Sequence, residues 1–569
     1  MKRRFKFSSF RSDESGAVMI IAAFGLVAFL AVTSLVTDLG LRYYQKSRLQ
    51  NAMDAAALAS VTYLPDKTRA KEVALEYVEK NGFKVDDVEI EFPEEGVIRV
   101  RDTYECKTLF AGLFDEKEMV MQAHAAAKYL NKNMSIDFDY LMFYGEDSTF
   151  LLNGDFREVA GSIFSNGNMV VGCNDAAVIY DVVSARNVTF ANNMAIKPTV
   201  TNNAAHQDMP DWDEMIMSVA PVAEKLQFTS PQAHITAVQS YKYKLNGDTY
   251  LNDFISYANG NVLCTGNLST GYTDAMLYVH GDLYVAKDFT PQCPVYVTGN
   301  MYVGGKLSQT WGKTLYVGGK LYVEGDTSFQ GVVTVNGDYY CGGNVTLSNG
   351  NNTQYKFGSI RCKGNFSSLA AWNARINVNG SVFVYGKLNL GGGNNVIKGN
   401  VNVWGDKSDV GDDVCFLNGN LTLTGDVWCH QGTVAFGGNG DCNIHGFVYS
   451  GGSIETRSGG DISLNGCMIA EGNIKIGGAS HTYNDSGATL SLYSRKGNIE
   501  LGSQGTELKM WGIVYAPKGD IKISTDGLKI YGSLVANTIT CNIGCGFYIG
   551  QNDRTLPFAK TVRVAALVE

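Results

Sequence analysis

The sequence predicts a mainly β protein: a long parallel β-helix (solenoid) preceded by an N-terminal transmembrane helix and a small α+β membrane-proximal domain. Three observations predict this fold class. A glycine-centred unit recurs about every 20 residues, which is typical of a solenoid. Short apolar-x-apolar triplets flank these glycines, as in strands whose side chains alternate between two faces. A run without charged residues lies near the N-terminus and is long enough to cross a membrane.

The first 36 residues predict a single-pass membrane anchor. Residues 1–15 form a basic tip, and residues 16–36 contain no charge. At about 1.5 Å per residue, a helix over 16–36 crosses a hydrocarbon core of about 30 Å. The basic tip favours a cytoplasmic N-terminus, with the bulk of the chain extracellular or periplasmic. A cleaved signal peptide is the alternative. The residues that we assign to contact with the lipid bilayer are Gly16, Ile20, Phe24, Leu30 and Val36.

The anchor leads into a predicted membrane-proximal α+β region over residues 37–145. Residues 66–81 have an amphipathic helical pattern, and Gly82 is placed to end that helix. Residues 85–92, 96–104 and 117–129 predict strands. Cys106 has no His nearby in the sequence, so we interpret it as a core residue rather than a nucleophile.

The segment from about 16 to 60 resembles the N-terminus of TadE/TadG-like Flp (tight-adherence) pilus-assembly proteins. The resemblance implies a membrane-anchored component of a Flp pilus system, with other pilus-assembly components as its partners. It extends weakly to residue 130. The residues that carry the family motif are Asp38, Gly40, Leu49, Gln50, Asn51, Ala52, Asp54, Ala55, Ala56 and Leu58.

Residues 146–550 predict the β-helix, with an insertion near 199–245 and a C-terminal tail or cap at 551–569. Gly281, Gly299, Gly319 and Gly337 are spaced by 18, 20 and 18 residues, and three strands with three corners account for one such period. We expect these glycines to supply positive-φ backbone at the corners. The coils resemble the Gly-rich β-helix domains of pilus-associated proteins and, more loosely, bactofilin repeats. That resemblance implies scaffolding or surface assembly.

Tyrosines recur three residues before or after successive coil glycines and predict outward-facing ladders. One interpretation is a structural ladder that stabilises neighbouring coils. The other is an aromatic strip that binds surface glycan or a partner protein. The candidate surface-binding ladder comprises Tyr278, Tyr284, Tyr296, Tyr302, Tyr316, Tyr322 and Tyr340.

Other candidate chemistry is weak in this sequence. The net charge of −9 gives no basic face for nucleic acid. The 12 cysteines are either buried core residues or disulfides, with Cys541 and Cys545 as the best candidate pair. The acids at 208, 211, 213 and 214 fit a solvated helix start or a cation site. Asp412, Asp413 and His445 only superficially resemble the motifs of polysaccharide-cutting β-helix enzymes, and we interpret the acid pair as a turn.

These patterns predict a protein that is not an enzyme and has no catalytic residue, metal or cofactor. The favoured function is a membrane-anchored, surface-exposed structural protein of a Flp/Tad-like, type IV-related pilus assembly system, with the rod as scaffold. The alternative is a β-helical adhesin that binds glycan or a partner surface. A polysaccharide-active β-helix enzyme is a third hypothesis.

Overall fold

The structure is a computed structural model in which the chain forms two compact units. The first comprises residues 1–134 and 561–569, and the second residues 135–560. The structure describes residues 14–567 except 62, 65–66, 95, 108–117, 133–137, 155–156, 174–176, 192–193, 195, 219, 225–227, 229, 239, 258, 273–274, 349–352, 372, 406–412, 438–439, 458–459, 479–480, 484–489, 503–506, 526, 542–546 and 551–561.

The first unit combines a long helix, a short helix and an antiparallel sheet. Its elements are α1 (Glu14–Val61), α2 (Lys67–Lys80), β1 (Glu89–Glu91), β2 (Val97–Lys107) and β3 (Glu118–Lys132). The part of α1 from Ile20 is long and apolar enough to cross a membrane, and its most apolar stretch is not buried by protein. Ile20, Phe24, Leu30 and Val36 are exposed, as expected for side chains that face lipid.

The second half of α1 forms the core of this unit. Leu49, Ala52 and Ala56 are fully buried, in one cluster with residues of α2 and the sheet. Small alanine side chains allow the helix to approach the sheet closely. Gln50 Nε2 donates hydrogen bonds to Asp54 Oδ1 and to the His124 carbonyl oxygen, both at 2.8 Å, so it connects α1 to β3.

The second unit is a parallel β-solenoid of about 18 coils. It begins with β4 (Tyr140–Tyr144), β5 (Phe150–Gly154), β6 (Glu158–Ser165), β7 (Met169–Cys173), β8 (Val178–Ser184), β9 (Val188–Phe190) and β10 (Thr199–Thr201), followed by the short helices α3 (Asp213–Met217) and α4 (Pro231–Ala237). The main series follows as β11 (Tyr243–Leu245), β12 (Thr249–Leu251), β13 (Phe254–Tyr257), β14 (Val262–Cys264), β15 (Leu268–Thr270), β16 (Met276–Val279), β17 (Leu283–Val285), β18 (Phe289–Thr290), β19 (Val295–Val297), β20 (Met301–Val303), β21 (Leu307–Ser308), β22 (Thr314–Val317), β23 (Leu321–Val323), β24 (Thr327–Phe329), β25 (Val332–Val335), β26 (Tyr339–Cys341), β27 (Val345–Leu347), β28 (Gln354–Phe357), β29 (Ile360–Cys362), β30 (Phe366–Ser367), β31 (Arg375–Val378), β32 (Val382–Val384), β33 (Leu388–Asn389), β34 (Asn394–Ile397) and β35 (Val401–Val403). It ends with β36 (Asp413–Asn418), β37 (Asn420–Leu423), β38 (Val427–Cys429), β39 (Thr433–Gly437), β40 (Cys442–His445), β41 (Val448–Ser450), β42 (Ile454–Thr456), β43 (Ile462–Asn465), β44 (Met468–Ala470), β45 (Ile474–Ile476), β46 (His481–Tyr483), β47 (Leu490–Ser494), β48 (Ile499–Leu501), β49 (Glu507–Trp511), β50 (Ile513–Ile523), β51 (Gly527–Tyr531), β52 (Leu534–Cys541) and β53 (Phe547–Gly550).

The strands form three faces, because each strand of the main series pairs in parallel with the third strand after it. Face 1 contains β11, β14 and every third strand to β47, then the first parts of β50 and β52. Face 2 contains β12, β15 and every third strand to β48, then the second parts of β50 and β52. Face 3 contains β13, β16 and every third strand to β49, then β51 and β53. The flanking aliphatic residues of the triplets point inward and form one continuous core.

Gly299 and Gly319 allow neighbouring coils to approach each other closely, and they do not supply a left-handed backbone conformation. Gly299 and Gly319 do not adopt positive φ, so our expectation for these corners was wrong. A Cβ on Gly299 would lie 2.7 Å from the carbonyl oxygen of Gly281 in the preceding coil, and one on Gly319 would lie 3.0 Å from the carbonyl oxygen of Gly299. Side chains at this corner would force neighbouring coils apart.

The coils are not stacked in chain order. β4 lies between β52 and β6, pairing in parallel with both, and β53 also pairs with β6. The N-terminal coils therefore continue the solenoid beyond its C-terminal coil, while the main series begins at the opposite end with β11. The last strand, β54 (Val562–Leu567), belongs to the first unit, where it pairs antiparallel with β3.

This order predicts that the N-terminal coils depend on the C-terminal strands. A chain that ends at Ser533 lacks β52, β53 and β54, so β4 and β6 lose their pairing partners in the main series. We expect residues 140–201 to exchange backbone hydrogens much faster in this truncated chain, while residues 283–476 stay protected, as measured by hydrogen-exchange mass spectrometry.

The control is a chain that ends at residue 560, which keeps β52 and β53 and removes only β54. It should protect residues 140–201 as the full chain does. Equal protection of these residues in the chain that ends at Ser533 would contradict the stacking order.

Candidate functional site

The outward middle residues of face 1 form one continuous column, which we call the track. In-register pairing places each directly above the next. Most are large and apolar although they point away from the solenoid core. The track comprises Leu263, Tyr284, Tyr302, Tyr322, Tyr340, Arg361, Phe383, Asn402, Trp428, Tyr449, Ile469, Tyr493, Tyr515, Val535, Phe143 and Phe164.

Four of the predicted ladder tyrosines form the most regular part of the track. The ring centroids of Tyr284 and Tyr302 are 4.8 Å apart, those of Tyr302 and Tyr322 are 5.0 Å apart, and those of Tyr322 and Tyr340 are 4.5 Å apart. Their interplanar angles are 5 to 8°. The ring faces therefore contact each other along the solenoid axis, and only ring edges and hydroxyls point outward. Stacked aromatic pairs of this kind contribute about 0.5–1.5 kcal/mol each.

We call residues 202–242 the strap, and its described residues lie along the track. They follow β10 at one end of the solenoid and reach β11 at the other. The strap thus connects the N-terminal coils to the start of the main series by running the length of face 1. The predicted insertion near 199–245 covers this segment together with β10 and β11.

The N-terminal part of the strap is held at α3 by Asp213, Arg495 and Tyr493, which we call the clasp. Arg495 donates from Nε to Asp213 Oδ1 at 2.9 Å and from Nη2 to Asp213 Oδ2 at 2.8 Å. The Tyr493 hydroxyl donates to Asp213 Oδ1 at 2.6 Å. Burial alone would raise the pKa of Asp213, but the hydrogen bonds from Arg495 and Tyr493 outweigh it, so its pKa lies below the ordinary value. Arg495 Nη1 also donates to Glu471 at 2.7 Å, which ties the clasp to a neighbouring coil.

Aromatic packing supports the strap beside the clasp. The Trp212 ring lies 4.9 Å from that of Tyr515, and the Tyr515 hydroxyl donates to the Pro210 carbonyl oxygen. Ile216 of α3 is fully buried. Burial raises the pKa of Tyr515 well above its usual range, as expected for a phenol beneath a covering segment.

The middle of the strap forms hydrogen bonds with Asn402 of the track and with Asn400 in the same coil. The Glu224 backbone N–H donates to Asn402 Oδ1 at 3.2 Å, and Asn400 Nδ2 donates to the Glu224 carboxylate at 2.7 Å. Further along, the Phe228 ring lies 6.4 Å from that of Tyr340 in an edge-on arrangement. The Lys363 ammonium lies 4.0 Å from the Phe228 ring centroid.

Helix α4 covers the tyrosine stack. Ile235 packs into a cluster with Tyr284, Tyr302 and Tyr322. The His234 ring lies 4.8 Å from Tyr302 and 5.3 Å from Tyr322. These three tyrosines are more than nine-tenths buried. For these three tyrosines the interpretation as a structural ladder fits and the accessible strip does not, because the chain's own strap occupies the surface that they present.

The other three ladder tyrosines lie on face 3 and are not covered by the strap. Tyr278 and Tyr296 stack at 5.6 Å, and Tyr296 and Tyr316 lie 6.3 Å apart in a tilted arrangement. All three are half-buried. The structure thus separates the predicted ladder into a covered group on face 1 and an accessible group on face 3. Binding of glycan or protein by the accessible group stays a prediction.

The remaining candidates have structural surroundings or lie outside the described residues. Among the described residues, ten cysteines are buried: Cys173, Cys264, Cys293, Cys341, Cys362, Cys415, Cys429, Cys442, Cys467 and Cys541. Cys545 lies outside the described residues, so the proposed pair with Cys541 is not tested, and Asp412 lies outside them too. Asp413 begins β36, and His445 is exposed at the end of β40. Within the described part of the chain, no group of three or more His, Cys, Asp and Glu side chains is arranged to hold a metal ion.

The strap contacts were not predicted from the sequence. One signal was present: the insertion carries Trp212, Phe228 and Ile235 at wide intervals, which suits a segment that contacts a long apolar surface at separate points.

Comparison with known families identifies the N-terminal segment. Residues 16–62 match the family model described as "Putative Flp pilus-assembly TadE/G-like". The matched residues form most of α1, including the exposed apolar half and the buried half that packs in the first unit. Comparisons with curated proteins and with solved structures give no match. The chain therefore joins a TadE/G-like N-terminal domain to a parallel β-solenoid.

Asp213→Asn should loosen the clasp. Loss of the charge on a partly exposed carboxylate that accepts three hydrogen bonds should cost about 1 kcal/mol and raise strap opening about fivefold. Hydrogen exchange of residues 206–218 at pH 7 measures this, with exposed Asp208→Asn as the matched control. Equal exchange in both variants would exclude a stabilising clasp.

The clasp should also respond to acid. Because the pKa of Asp213 is lowered on folding, its contribution is present above the unfolded-state value of about 3.9 and is lost as pH falls through the folded-state value. The difference in melting temperature between the natural protein and Asp213→Asn should therefore shrink as pH falls below about 4. A difference that stays constant from pH 7 to pH 3 would contradict this assignment.

Ile235→Ala should release α4 from the tyrosine stack. Removal of three buried carbon atoms should cost about 2 kcal/mol and accelerate hydrogen exchange of residues 231–237. Thr236→Ala, at an exposed position of the same helix, is the control. If both variants exchange alike, α4 does not depend on the stack.

Proposed function

We propose that the chain is a single-pass, membrane-anchored structural component of a Flp/Tad-like pilus assembly system, and that its solenoid is a scaffold held outside the cell. The observation that carries this proposal is the family match over residues 16–62. The matched segment contains both the apolar stretch that suits a bilayer and the buried residues that build the first unit.

Two features of the solenoid support a scaffold role: one face is covered by the chain's own strap, and the interior is fully packed. The aromatic column of face 1, the track, contacts the chain's own strap. The interior is filled by stacked aliphatic and aromatic side chains. These contacts stiffen the unit and leave its ends and its other two faces for other components. We propose on this basis that the chain is not an enzyme.

The orientation in the membrane is part of the proposal. Five basic residues precede the apolar run, and the positive-inside tendency places such a tip in the cytoplasm. The solenoid then lies on the opposite side of the membrane, where it meets other pilus-assembly components.

The accessible aromatic residues favour an adhesin as the second candidate. Tyr278, Tyr296 and Tyr316 lie in the same part of the solenoid as Tyr272 and Trp311, which are 52 and 60 % exposed. Aromatic rings with adjacent polar groups suit contact with sugar rings or with a partner protein. In this alternative, the solenoid binds a surface and the TadE/G-like segment serves as its anchor.

Deletion of the solenoid tests the scaffold function. Residues 140–550 are replaced by a flexible Gly/Ser linker, so that the first unit keeps α1, β1 to β3 and β54. If the solenoid is a scaffold, surface filaments should be lost in electron micrographs of the native host, while the shortened protein remains in the membrane fraction. Filaments at normal number and length would contradict the proposal.

The matched variant replaces Tyr278, Tyr296 and Tyr316 by Ser in the full-length chain. The scaffold function predicts normal filaments and normal adherence. Normal filaments with lost adherence would instead support the adhesin.

A further inference from the structure

The main series begins with an open coil. β11, β12 and β13 pair with β14, β15 and β16 on one side. No other strand of the described chain pairs with them. We call this end, residues 241–257, the tip. It lies opposite the end of the solenoid that is formed by β8 and β10.

The solenoid core is incompletely covered at the tip. Tyr243, Leu245, Leu251 and Tyr257 pack against the core but are only partly buried. The equivalent residues of the next coil, such as Val262 and Cys264, are fully buried. Tyr250 and Phe254 are 61 and 62 % exposed. An uncovered terminal repeat of this kind is unfavourable in water, and solenoids usually cover it.

Backbone groups at the tip also point out of the solenoid. The Thr249 N–H donates to the Asn267 carbonyl oxygen at 2.8 Å, and the Leu251 carbonyl oxygen accepts from the Gly271 N–H at 2.7 Å. These residues use the β15 side, so the N–H and carbonyl groups of Tyr250 between them point to the opposite side. The same alternation applies to Lys244 in β11 and Ser256 in β13. Each face therefore presents one strand edge at the tip.

The opposite end has a different form. There, β10 pairs with β8, whereas β9 pairs with β7 in a separate three-stranded sheet with β5. The three residues of β10 are exposed. This end does not repeat the arrangement of three short strand edges around an open core.

We propose that the tip is a self-association surface at which a second copy of this chain docks tip to tip. The arrangement of the three strand edges at the tip indicates that the docking partner is another tip. A single extended peptide can pair with one of the three edges, whereas another tip presents three edges around an apolar centre of the same size. The contact adds one further coil-on-coil interface, although the interfaces within the solenoid pair their strands in parallel. A two-fold axis makes the paired strands antiparallel, which is the usual symmetry of a closed dimer.

Photo-crosslinking of the full-length protein in detergent micelles tests the contact directly. A benzophenone amino acid replaces Tyr250 at the tip or, as the matched control, Tyr385, which is 41 % exposed in the middle of the solenoid. We expect covalent dimers from position 250 only, with mass spectrometry mapping the crosslink to residues 241–257 of the second copy. Absence of such dimers, or crosslinks from both positions alike, would overturn the proposal.

A second variant tests the backbone contribution. Tyr250→Pro removes an N–H that points away from β15, so pairing within the coil is preserved. Analytical ultracentrifugation should show self-association at least about tenfold weaker for Tyr250→Pro than for Tyr250→Ala, which keeps the N–H. A dimer of equal strength in both variants would place association elsewhere, for example in α1, and would overturn the tip-to-tip contact.

Discussion

Each coil of the solenoid satisfies its backbone only through the coils on either side of it. Within a coil, three short strands point in different directions and share no hydrogen bonds, so a lone coil has no ladder and almost no core. This constraint explains why the chain does not leave its N-terminal coils separate. β4, β6 and β8 stack on β52 and β53, where a complete coil offers them partners. The chain must then travel the length of the solenoid before the main series begins.

The large outward residues of the track are explained by this long connection, the strap. A connection that spans a solenoid needs contacts along its whole path, since a loose segment of 41 residues (202–242) would retain a large conformational entropy. The column on face 1 supplies these contacts at intervals: a charged clasp at Asp213, polar bonds at Glu224 and apolar packing at Ile235. The large outward residues of face 1 are thus explained by the segment that covers them. On face 3, the column beyond Tyr316 continues with Thr334 and Lys356, residues that suit contact with water.

The sequence was sufficient for the repeat and insufficient for the order of the coils. Alternating triplets and spaced glycines determine that coils form, because the pattern is local and each coil carries it. They do not determine which coil lies next to β4, since almost any triplet can pair in parallel with any other. The role of Gly299 was also misjudged, because its close approach to Gly281 is a contact between coils. The exposure of Tyr302 depended in the same way on Ile235, a residue 67 positions earlier in the chain that alternation within β20 does not reveal.

Both units depend on residues near the C-terminus for their completion. The first unit contains residues from both ends of the sequence, since β54 completes the sheet that β3 begins. The second unit also closes late, because its N-terminal coils stack on strands that lie near the C-terminus. During synthesis from the N-terminus, α1 is therefore available early. The sheet of the first unit and the solenoid can be completed only when the last 40 or so residues are present. A chain truncated near its C-terminus therefore lacks both a complete sheet in the first unit and a complete solenoid.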